Sequence, residues 1–383
     1  MGRSLFPRAG SASLQHASGR LEKLESLRGF AAAYVMVGHV ASMYFHGEGR
    51  WTLIFRLAVE AVMLFFLLSG FVIRYSSPPG THTFRAYFVK RFRRIYPLYL
   101  IALAVSYGCA ALADGRWRPD GFGWGRLLGN LFMLQDAEVT NPGVWVAAFI
   151  NPVFWSLSYE WWFYMMYYPL GEWKAREETK NWVVFGVSAA ATIAFQIEPN
   201  WPCMVLAMLA IWWSGGQLAA EYMESGDVTF GRQWKQLGRL LVIAGLWSIP
   251  QWTTEGARAN LGAYPMWPLR CYVGVVVMLT VGIAWKRAGF VGFRWTFGLF
   301  TIFAPISYAV YVFHFPPLDL LEEPGLSRWP AAGLAVFVVG TMAWSYLMEV
   351  RLQRWINGKT KGWLGRVREG ALGSSRGQEV GRR

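Results

Sequence analysis

The sequence predicts an all-α protein, a polytopic bundle of about ten transmembrane helices. Hydrophobic residues make up 54% of its 383 residues, and charged residues only 16%. Apolar runs of about twenty residues, the length at which a helix crosses a hydrocarbon core, recur along the whole chain. The ten predicted spans cover residues 27–45, 53–73, 96–113, 152–170, 182–196, 203–220, 237–252, 268–285, 299–320 and 329–350.

The Lys and Arg residues are divided unevenly between the two sides of this predicted bundle. With the N-terminus in the cytoplasm and the spans alternating, 28 of the 37 fall in the inner arm and loops, and 6 in the outer loops. Such an excess of cations on cytoplasmic loops is the positive-inside rule, so both termini are predicted to be cytoplasmic, in a plasma (inner) membrane. Membrane topology explains most of the net charge of +14, and we expect no nucleic acid partner.

These patterns predict one membrane domain over residues 24–352, between a basic disordered cytoplasmic arm (1–23) and a cytoplasmic tail (353–383). The arm lacks the apolar region of a signal peptide. The three cysteines fall singly in different spans, so their spacing suggests neither a disulfide framework nor a metal site. We therefore expect no metal cofactor.

The first span carries a cation near its start, Arg28, and a titratable base well inside it, His39. Their separation of eleven positions corresponds to about three helical turns, so both side chains lie on one helix face, about 16 Å apart along the axis. Ionisable groups inside a membrane span are costly and by default mark a functional site. The span is therefore predicted to begin a reaction path.

The second span ends in FFLLSGF, residues 65–71, and contains the step Ser69-Gly70. A small residue pair of this kind allows close approach of two helices and a local bend, and a packing seam is the favoured interpretation. Near the start of the same span, Arg56 and Glu60 lie one turn apart, so we expect them to form a structural pair.

A basic and aromatic segment, residues 84–100, leads into the third span. Arginines interleaved with aromatic residues are typical of a cytoplasmic interface, where the cations lie near the lipid headgroups. Arg91 and Arg94 are spaced i, i+3 and share a helix face, from which their guanidinium groups can fork onto phosphate oxygens. The segment is thus predicted either to anchor the chain to membrane lipid or to grip a phosphate-bearing ligand.

The fourth span contains WSLSYE, residues 155–160, in which Ser156 and Glu160 lie one turn apart on one helix face. By the predicted topology this is the outer end of the span. A carboxylate among tryptophans is unusual on a lipid-facing helix, although aromatic residues alone are expected at any membrane interface. Glu160 is expected to bind a hydroxyl-rich ligand, to orient a donor, or to tie two helices together.

The ninth span carries SYAVYVFH, residues 307–314, which places Ser307, Tyr311 and His314 on one helical stripe. A polar stripe in a membrane helix faces a cavity or a partner helix rather than lipid. His314 is a second candidate base, or else a hydrogen-bonded core histidine near the outer interface. In the last span, Glu349 is expected to form a structural pair with its neighbour Arg351.

Taken in order, these fragments resemble the acyltransferase-3 family of integral membrane O-acyltransferases. The matching pieces are LRG with a histidine eleven residues after its arginine, FFLLSGF, RFRRIYP, WSLSYE and SYAVYVFH. One departure is Met63, where the family often has an acidic or polar residue. Some members also carry an extracellular SGNH-type hydrolase-like domain, which this sequence lacks, so the membrane domain is expected to act alone or with a partner.

The resemblance implies an acyltransferase that moves an acyl group, commonly acetyl from acetyl-CoA, to a hydroxyl of a glycan or another exported or lipophilic acceptor. It implies that His39 is the catalytic histidine and that Arg28 is its partner. Arg91 and Arg94 correspond to the family's RxxR motif, and Glu160 corresponds to the acidic residue of its WSLSxE segment.

The residues and the resemblance combine into one mechanistic hypothesis. The phosphates of a cytoplasmic acyl-CoA donor need cations at the inner face, where Arg91, Arg94 and Arg28 are predicted to lie. His39 is expected to remove the proton of the acceptor hydroxyl or to be acylated transiently. Arg28 is alternatively expected to stabilise the developing negative charge.

Acceptor binding is assigned to the outer half of the bundle, to Ser156, Tyr311 and His314, with Glu160 beside them. A rival interpretation is a multi-pass transporter in which buried His, Glu and Arg form a relay, or a non-catalytic membrane partner. A pure transporter has no need of a clustered arginine site facing the cytoplasm, and the sequence has no visible inverted repeat.

Overall fold

The computed structural model describes residues 11–43, 45, 54–253, 262–321 and 330–359, with residues 11–21, 252, 253 and 330 as backbone only. Almost all regular structure in these ranges is helical, so the predicted all-α bundle is confirmed. The α-helices are α1 (Ser11–Ser42), α2 (Ala58–Ser76), α3 (Phe84–Ala113), α4 (Trp124–Leu131), α5 (Trp155–Glu172), α6 (Glu177–Ile197), α7 (Trp201–Ser225), α8 (Phe230–Ser248), α9 (Pro250–Thr253), α10 (Met266–Arg287), α11 (Ser307–Phe313), α12 (Phe315–Leu321) and α13 (Pro330–Ser345). Short 3₁₀ segments cover Pro152–Phe154, Phe293–Trp295 and Phe297–Ile306, and a π-helical turn covers Tyr346–Leu352. Two short parallel strands, β1 (Gln135–Asp136) and β2 (Val146–Ala147), lie between α4 and α5.

Each of the ten predicted spans overlaps one or more of these helices. Among the described residues, five helices are long and apolar enough to cross a membrane: α2, α3, α7, α10 and the continuous stretch Ala331–Lys359. A sixth candidate is the pair Phe297–Phe313 and Phe315–Leu321, which bends by 57° where His314 separates the two parts. The other four predicted spans correspond to α1, α5, α6 and α8, and their crossing of the membrane stays a prediction.

Helix α1 is longer than its predicted span. It begins at Ser11, so residues 11–23, which the sequence assigns to a disordered arm, have a helical backbone. Residues 1–10 of the arm and 360–383 of the tail lie outside the described residues. The division of the chain into three segments therefore stays a prediction.

A close backbone contact joins α2 to α7. A Cβ atom on Gly70 would lie 2.0 Å from the main-chain oxygen of Trp212, and one on Gly215 would lie 1.9 Å from that of Leu67. Real Cβ atoms do not approach backbone so closely, so glycine is required at both positions. The packing seam predicted at Ser69-Gly70 is thus confirmed.

A second close contact positions α1. Gly29 lies against the 3₁₀ segment Phe297–Ile306, where a Cβ atom would come within 2.2 Å of the main-chain oxygen of Phe300. The hydroxyl groups of Ser26 and Thr301 are hydrogen-bonded at 2.6 Å across the same contact. These contacts bring α1 alongside α11 and the break that follows it.

The predicted pair between Glu60 and Arg56 is replaced by one between α2 and α10. The guanidinium group of Arg270 donates to both carboxylate oxygens of Glu60, at 2.7 and 2.9 Å, and to the main-chain oxygen of Arg56 at 3.0 Å. The prediction was wrong because spacing identifies neighbours within a helix, but not that α10 packs beside α2.

The segment between α3 and α5, called the outer loop here (residues 114–151), folds over one end of the bundle. Its helix α4 has eight residues, too few to cross a hydrocarbon core. The Asn130 side chain donates to the main-chain oxygen of Ala147 at 2.9 Å and accepts from the amide of Phe149 at 3.0 Å. These bonds hold the outer loop in the conformation in which it lines the larger of two cavities in the bundle.

Candidate active site

Two cavities lie side by side within the bundle. The larger one, called the outer cavity, has a volume of about 580 Å³ and is lined by the outer loop, Trp155, Trp267 and His39. The smaller one, called the inner cavity, has a volume of about 120 Å³. Its charged lining residues are Arg28, Arg91, Arg94 and Glu160. Val62 and Tyr311 line both cavities.

His39 on α1 faces His314 at the break between α11 and α12. Nδ1 of His39 lies 2.9 Å from Nε2 of His314, and the two rings stack with their centroids 5.0 Å apart. Nδ1 of His314 lies 3.0 Å from the main-chain oxygen of Val310. His314 is fully buried, whereas His39 is half-buried at the outer cavity. The structure therefore brings the two predicted bases into direct contact.

The partners of these nitrogens determine where the protons lie. A carbonyl oxygen only accepts hydrogen bonds, so Nδ1 of His314 carries a proton and donates it to Val310. In the neutral ring, Nε2 of His314 is then an acceptor, and Nδ1 of His39 is its donor. Nε2 of His39 is left unprotonated, which is the state that a general base requires.

Arg28 and Arg91 reach the inner cavity from α1 and α3. Arg28 forms an ion pair with Glu25 at 3.1 Å, and its Nη2 lies 3.4 Å from the Ser307 hydroxyl. Arg91 is only 6% exposed; it donates to the Ser77 hydroxyl at 3.2 Å, and its buried Nε has no partner among the described residues. A guanidinium group has five N–H donors, so both arginines retain donors for a ligand.

Arg94 is held by a carboxylate from the far end of the chain. Its Nη2 forms an ion pair with Glu349 at 2.6 Å, and its guanidinium group lies 5.3 Å from the centre of the Tyr308 ring. The second oxygen of Glu349 accepts from the Ala309 amide at 2.8 Å. The expected pairing of Glu349 with Arg351 was wrong, because Glu349 lies in the π-helical turn and faces the bundle interior.

Glu160 lies in the inner cavity with the arginines and not in the outer cavity with His39. It accepts hydrogen bonds from the Ser69 hydroxyl, at 2.6 Å, and from the Tyr164 hydroxyl. The Trp212 indole donates to the same Ser69 hydroxyl at 3.1 Å. Ser69 therefore contributes both to the packing seam and to the site.

Ser156 and Tyr311 form a hydrogen-bonded pair between α5 and α11. Their hydroxyl oxygens are 2.7 Å apart, and the Tyr311 hydroxyl also donates to the main-chain oxygen of Val153 at 3.2 Å. Of the three residues predicted to bind the acceptor, Tyr311 lines the outer cavity, Ser156 lines only the inner one, and His314 is buried behind His39.

The fragments that carry the sequence resemblance thus converge on two adjoining cavities. Comparison with family models matches the acyltransferase domain of the acyltransferase-3 family over residues 21–350. The chain belongs to the acyltransferase-3 family. The match extends from α1 through the π-helical turn, and therefore includes every residue of both cavities.

Three individual relatives of this acyltransferase-3 protein each match less than half of its chain. It is 32% identical over 190 residues to Acyltransferase MdmB of Streptomyces mycarofaciens and 28% identical over 166 residues to Nodulation protein 10 of Rhizobium leguminosarum bv. viciae. These matches cover 48% and 40% of this chain, and only about half of each relative, 48% and 45%. It is 31% identical over 192 residues to Protein 2 in picA locus of Rhizobium radiobacter, a match of 46% of this chain and 94% of that protein. No solved structure matches the chain significantly.

In this acyltransferase-3 protein the RxxR arginines have a further cationic neighbour, Lys90. The RxxR spacing identifies Arg91 and Arg94 in the sequence but does not identify Lys90. Lys90 donates to the Ser77 hydroxyl at 3.2 Å and to the main-chain oxygen of Ser76 at 3.0 Å, beside Arg91. In the loop before α3, partial burial and the charges of Lys90 and Arg91 lower the pKa of His82. Beside the larger effect of burial, the contribution of Lys90 and Arg91 to the lowered pKa reflects their positive charge at this end of the bundle.

The described ranges contain no group of three or more His, Cys, Asp or Glu side chains placed to hold a metal ion. The cysteines at positions 109, 203 and 271 are free thiols in three different helices, α3, α7 and α10. The site is built from histidine, arginine, glutamate and hydroxyl side chains.

Proposed function

We propose that this protein is a membrane O-acyltransferase that moves an acyl group from acyl-CoA to a hydroxyl of an acceptor in the outer cavity. Acetyl-CoA is the expected donor, and the acceptor is expected to be a glycan or another exported or lipophilic molecule. The observation that carries the proposal is that His39, whose Nδ1 is paired with His314, lines one cavity, beside a second cavity with three arginines. Transfer from a phosphorylated donor to a hydroxyl needs both a base and a phosphate-binding set.

The donor is assigned to the inner cavity and to the cations at its edge. Acyl-CoA carries several phosphate groups, and a guanidinium fork matches phosphate oxygens in a bidentate geometry. Arg91 and Lys90 converge on Ser77, and Arg94 lines the same cavity as Arg91. At about 120 Å³ the inner cavity has room for the acyl group and the end of the pantetheine arm only, so the nucleotide is expected to bind outside it.

His39 is the expected general base. Its Nε2 takes the proton of the acceptor hydroxyl while the hydroxyl oxygen attacks the acyl carbon, and the carbon–sulfur bond then breaks. The imidazolium returns this proton to the departing thiolate, which leaves as CoA. The hydrogen-bonded chain from His39 through His314 to the carbonyl of Val310 supports the positive charge on the ring. Transient acylation of His39 would use the same nitrogen.

Arg28 is expected to bind the donor rather than to stabilise charge at the acyl carbon. About 16 Å of helix separates it from His39, a distance that leaves its side chain remote from an acyl carbon within reach of the base. Its ion-pair partner Glu25 lies one turn further from His39. Glu160 is likewise assigned to the donor, because it lines only the inner cavity.

The proposed location is the plasma (inner) membrane, with both termini cytoplasmic. The distribution of Lys and Arg along the sequence supports this orientation. It directs the inner cavity towards the compartment that contains acyl-CoA, and the outer cavity towards the opposite face.

The proposal is tested by acetyl-CoA binding and thioester cleavage with the purified full chain in nanodiscs. His39→Gln is expected to abolish cleavage while it retains binding, and Arg91→Ala/Arg94→Ala is expected to weaken binding about 100-fold, since two charge-assisted contacts are lost. The matched control is Arg232→Ala/Lys235→Ala on α8, a cation pair with the same i, i+3 spacing that lines neither cavity.

Thermal unfolding confirms that each variant is folded before its activity is compared. A wild-type protein that is folded but binds no acetyl-CoA would overturn the donor assignment. Cleavage retained in His39→Gln would overturn the role of the histidine. Counter-flow of a labelled substrate without thioester cleavage would favour the transporter instead.

A further inference from the structure

Val62 on α2 and Tyr311 on α11 separate the two cavities. Among the described lining residues, only these two face both the inner and the outer cavity. Both are nearly buried, at 5% exposure each. They form the boundary, called the partition here, between the space assigned to the donor and the space that contains His39.

Contacts of its hydroxyl group and of its ring hold Tyr311 in the partition. Its hydroxyl lies 2.7 Å from that of Ser156 and donates to the main-chain oxygen of Val153 at 3.2 Å. Its ring packs against Phe65 with the ring centroids 5.5 Å apart. The two hydroxyl contacts hold the ring across the opening, whereas Val62 has no polar group and fills its part of the partition by volume alone.

We infer that Tyr311 and Val62 protect the donor from hydrolysis by keeping its thioester away from water in the outer cavity until an acceptor is bound. The inference rests on the proposed function. Its chemical reason is that a general base such as His39 activates water as well as an acceptor hydroxyl. If water reached the thioester, its oxygen would attack the acyl carbon and the carbon–sulfur bond would break. The proton would pass to the thiolate, and the products would be a free carboxylic acid and CoA.

Transfer itself requires the partition to open, and Tyr311 is its movable part. An acceptor hydroxyl at the wall offers the Tyr311 hydroxyl a replacement hydrogen-bond partner. The acceptor therefore lowers the free-energy cost of moving the Tyr311 hydroxyl away from Ser156 and from the main-chain oxygen of Val153, a movement that would otherwise leave this buried hydroxyl unpaired. Opening of the partition thereby depends on the acceptor, and water is excluded from the thioester until the acceptor binds.

The experiment measures acetyl-CoA hydrolysis by the full chain in nanodiscs with no acceptor present. Val62→Ala, which opens the partition, and Tyr311→Phe, which removes its hydroxyl contacts, are each expected to raise hydrolysis about tenfold. The matched control is Val275→Ala on α10, a fully buried valine that lines neither cavity, so its truncation does not join them.

Equal hydrolysis by Val62→Ala and Val275→Ala, together with wild-type hydrolysis by Tyr311→Phe, would overturn the inference. Tyr311→Phe changes the volume very little and keeps the test valid should Val62→Ala fail to fold. Adding His39→Gln to either partition variant is expected to abolish the additional hydrolysis, and hydrolysis that persisted would overturn the inference. Failure of the proposed function is distinguishable, because it is a loss of acetyl-CoA binding in the wild type.

Discussion

Nδ1 of His39 and Nε2 of His314 are 2.9 Å apart, although 275 positions separate the two residues in the chain. The contact joins α1 to the break after α11 and assigns one tautomer to His39. His314 is buried and lines neither cavity, so we expect it to be a positioning residue that acts on the reaction through His39.

Replacement of His314 is expected to lower turnover without weakening donor binding. In His314→Leu, Nδ1 of His39 loses its acceptor and the ring no longer has a defined tautomer, so kcat is expected to fall about 100-fold. His314→Gln keeps an acceptor oxygen for that nitrogen and is expected to retain about a tenth of the wild-type kcat. Steady-state kinetics give kcat and the KM for acetyl-CoA, and an equal loss in the two variants would contradict the positioning role.

The ion pair of Arg94 with Glu349 is expected to contribute to stability and to donor affinity separately. Glu349→Gln removes the countercharge of Arg94, and we expect the free energy of unfolding to fall by about 1–2 kcal/mol, because water partly screens the exposed guanidinium group. Arg94→Met/Glu349→Leu removes both charges and is expected to regain stability but not acetyl-CoA affinity. Thermal unfolding and binding titrations separate the two effects, and full affinity in the double variant would exclude Arg94 from donor binding.

Gly70→Ala is expected to force α2 and α7 apart. The new Cβ atom would meet the main-chain oxygen of Trp212 at 2.0 Å, and we expect a loss of about 3 kcal/mol in the free energy of unfolding. Gly245→Ala on α8 is the control, since a Cβ atom there has no neighbour within 4 Å. Thermal unfolding in the same detergent compares the stabilities of the two variants. Equal stability of both variants would show that the seam is not as tight as the structure indicates.

Donor binding is expected to raise the pKa of His82. In the free protein, partial burial and the positive charges of Lys90 and Arg91 lower this pKa, because both disfavour the protonated ring. Phosphate groups bound at the same cations would cancel that repulsion and favour the protonated ring. NMR titration of the His82 ring with and without CoA measures the shift, with His82→Asn to assign the signal. An unchanged pKa at saturating CoA would place the phosphates elsewhere.

Much of the site could be predicted because it depends on local helical geometry. The shared face of Arg28 and His39 and that of Arg91 and Arg94 follow from 3.6 residues per turn, and the small step Ser69-Gly70 is visible in the sequence itself. The apolar runs and the uneven distribution of cations likewise determined the fold class and the predicted orientation, since both reflect the lipid environment directly.

The tertiary structure alone decided which helices are neighbours, and with them the long-range pairs. The contacts of His39 with His314 and of Glu60 with Arg270 join helices that are remote in the chain, so no sequence spacing encodes them. Arg94 forms its ion pair with Glu349 because a π-helical turn changes the direction in which this carboxylate points. The place of Glu160 in the lining of the inner cavity was likewise decided by packing. Helical periodicity acts over a few residues, whereas the identity of a buried charge's partner depends on the arrangement of the whole bundle.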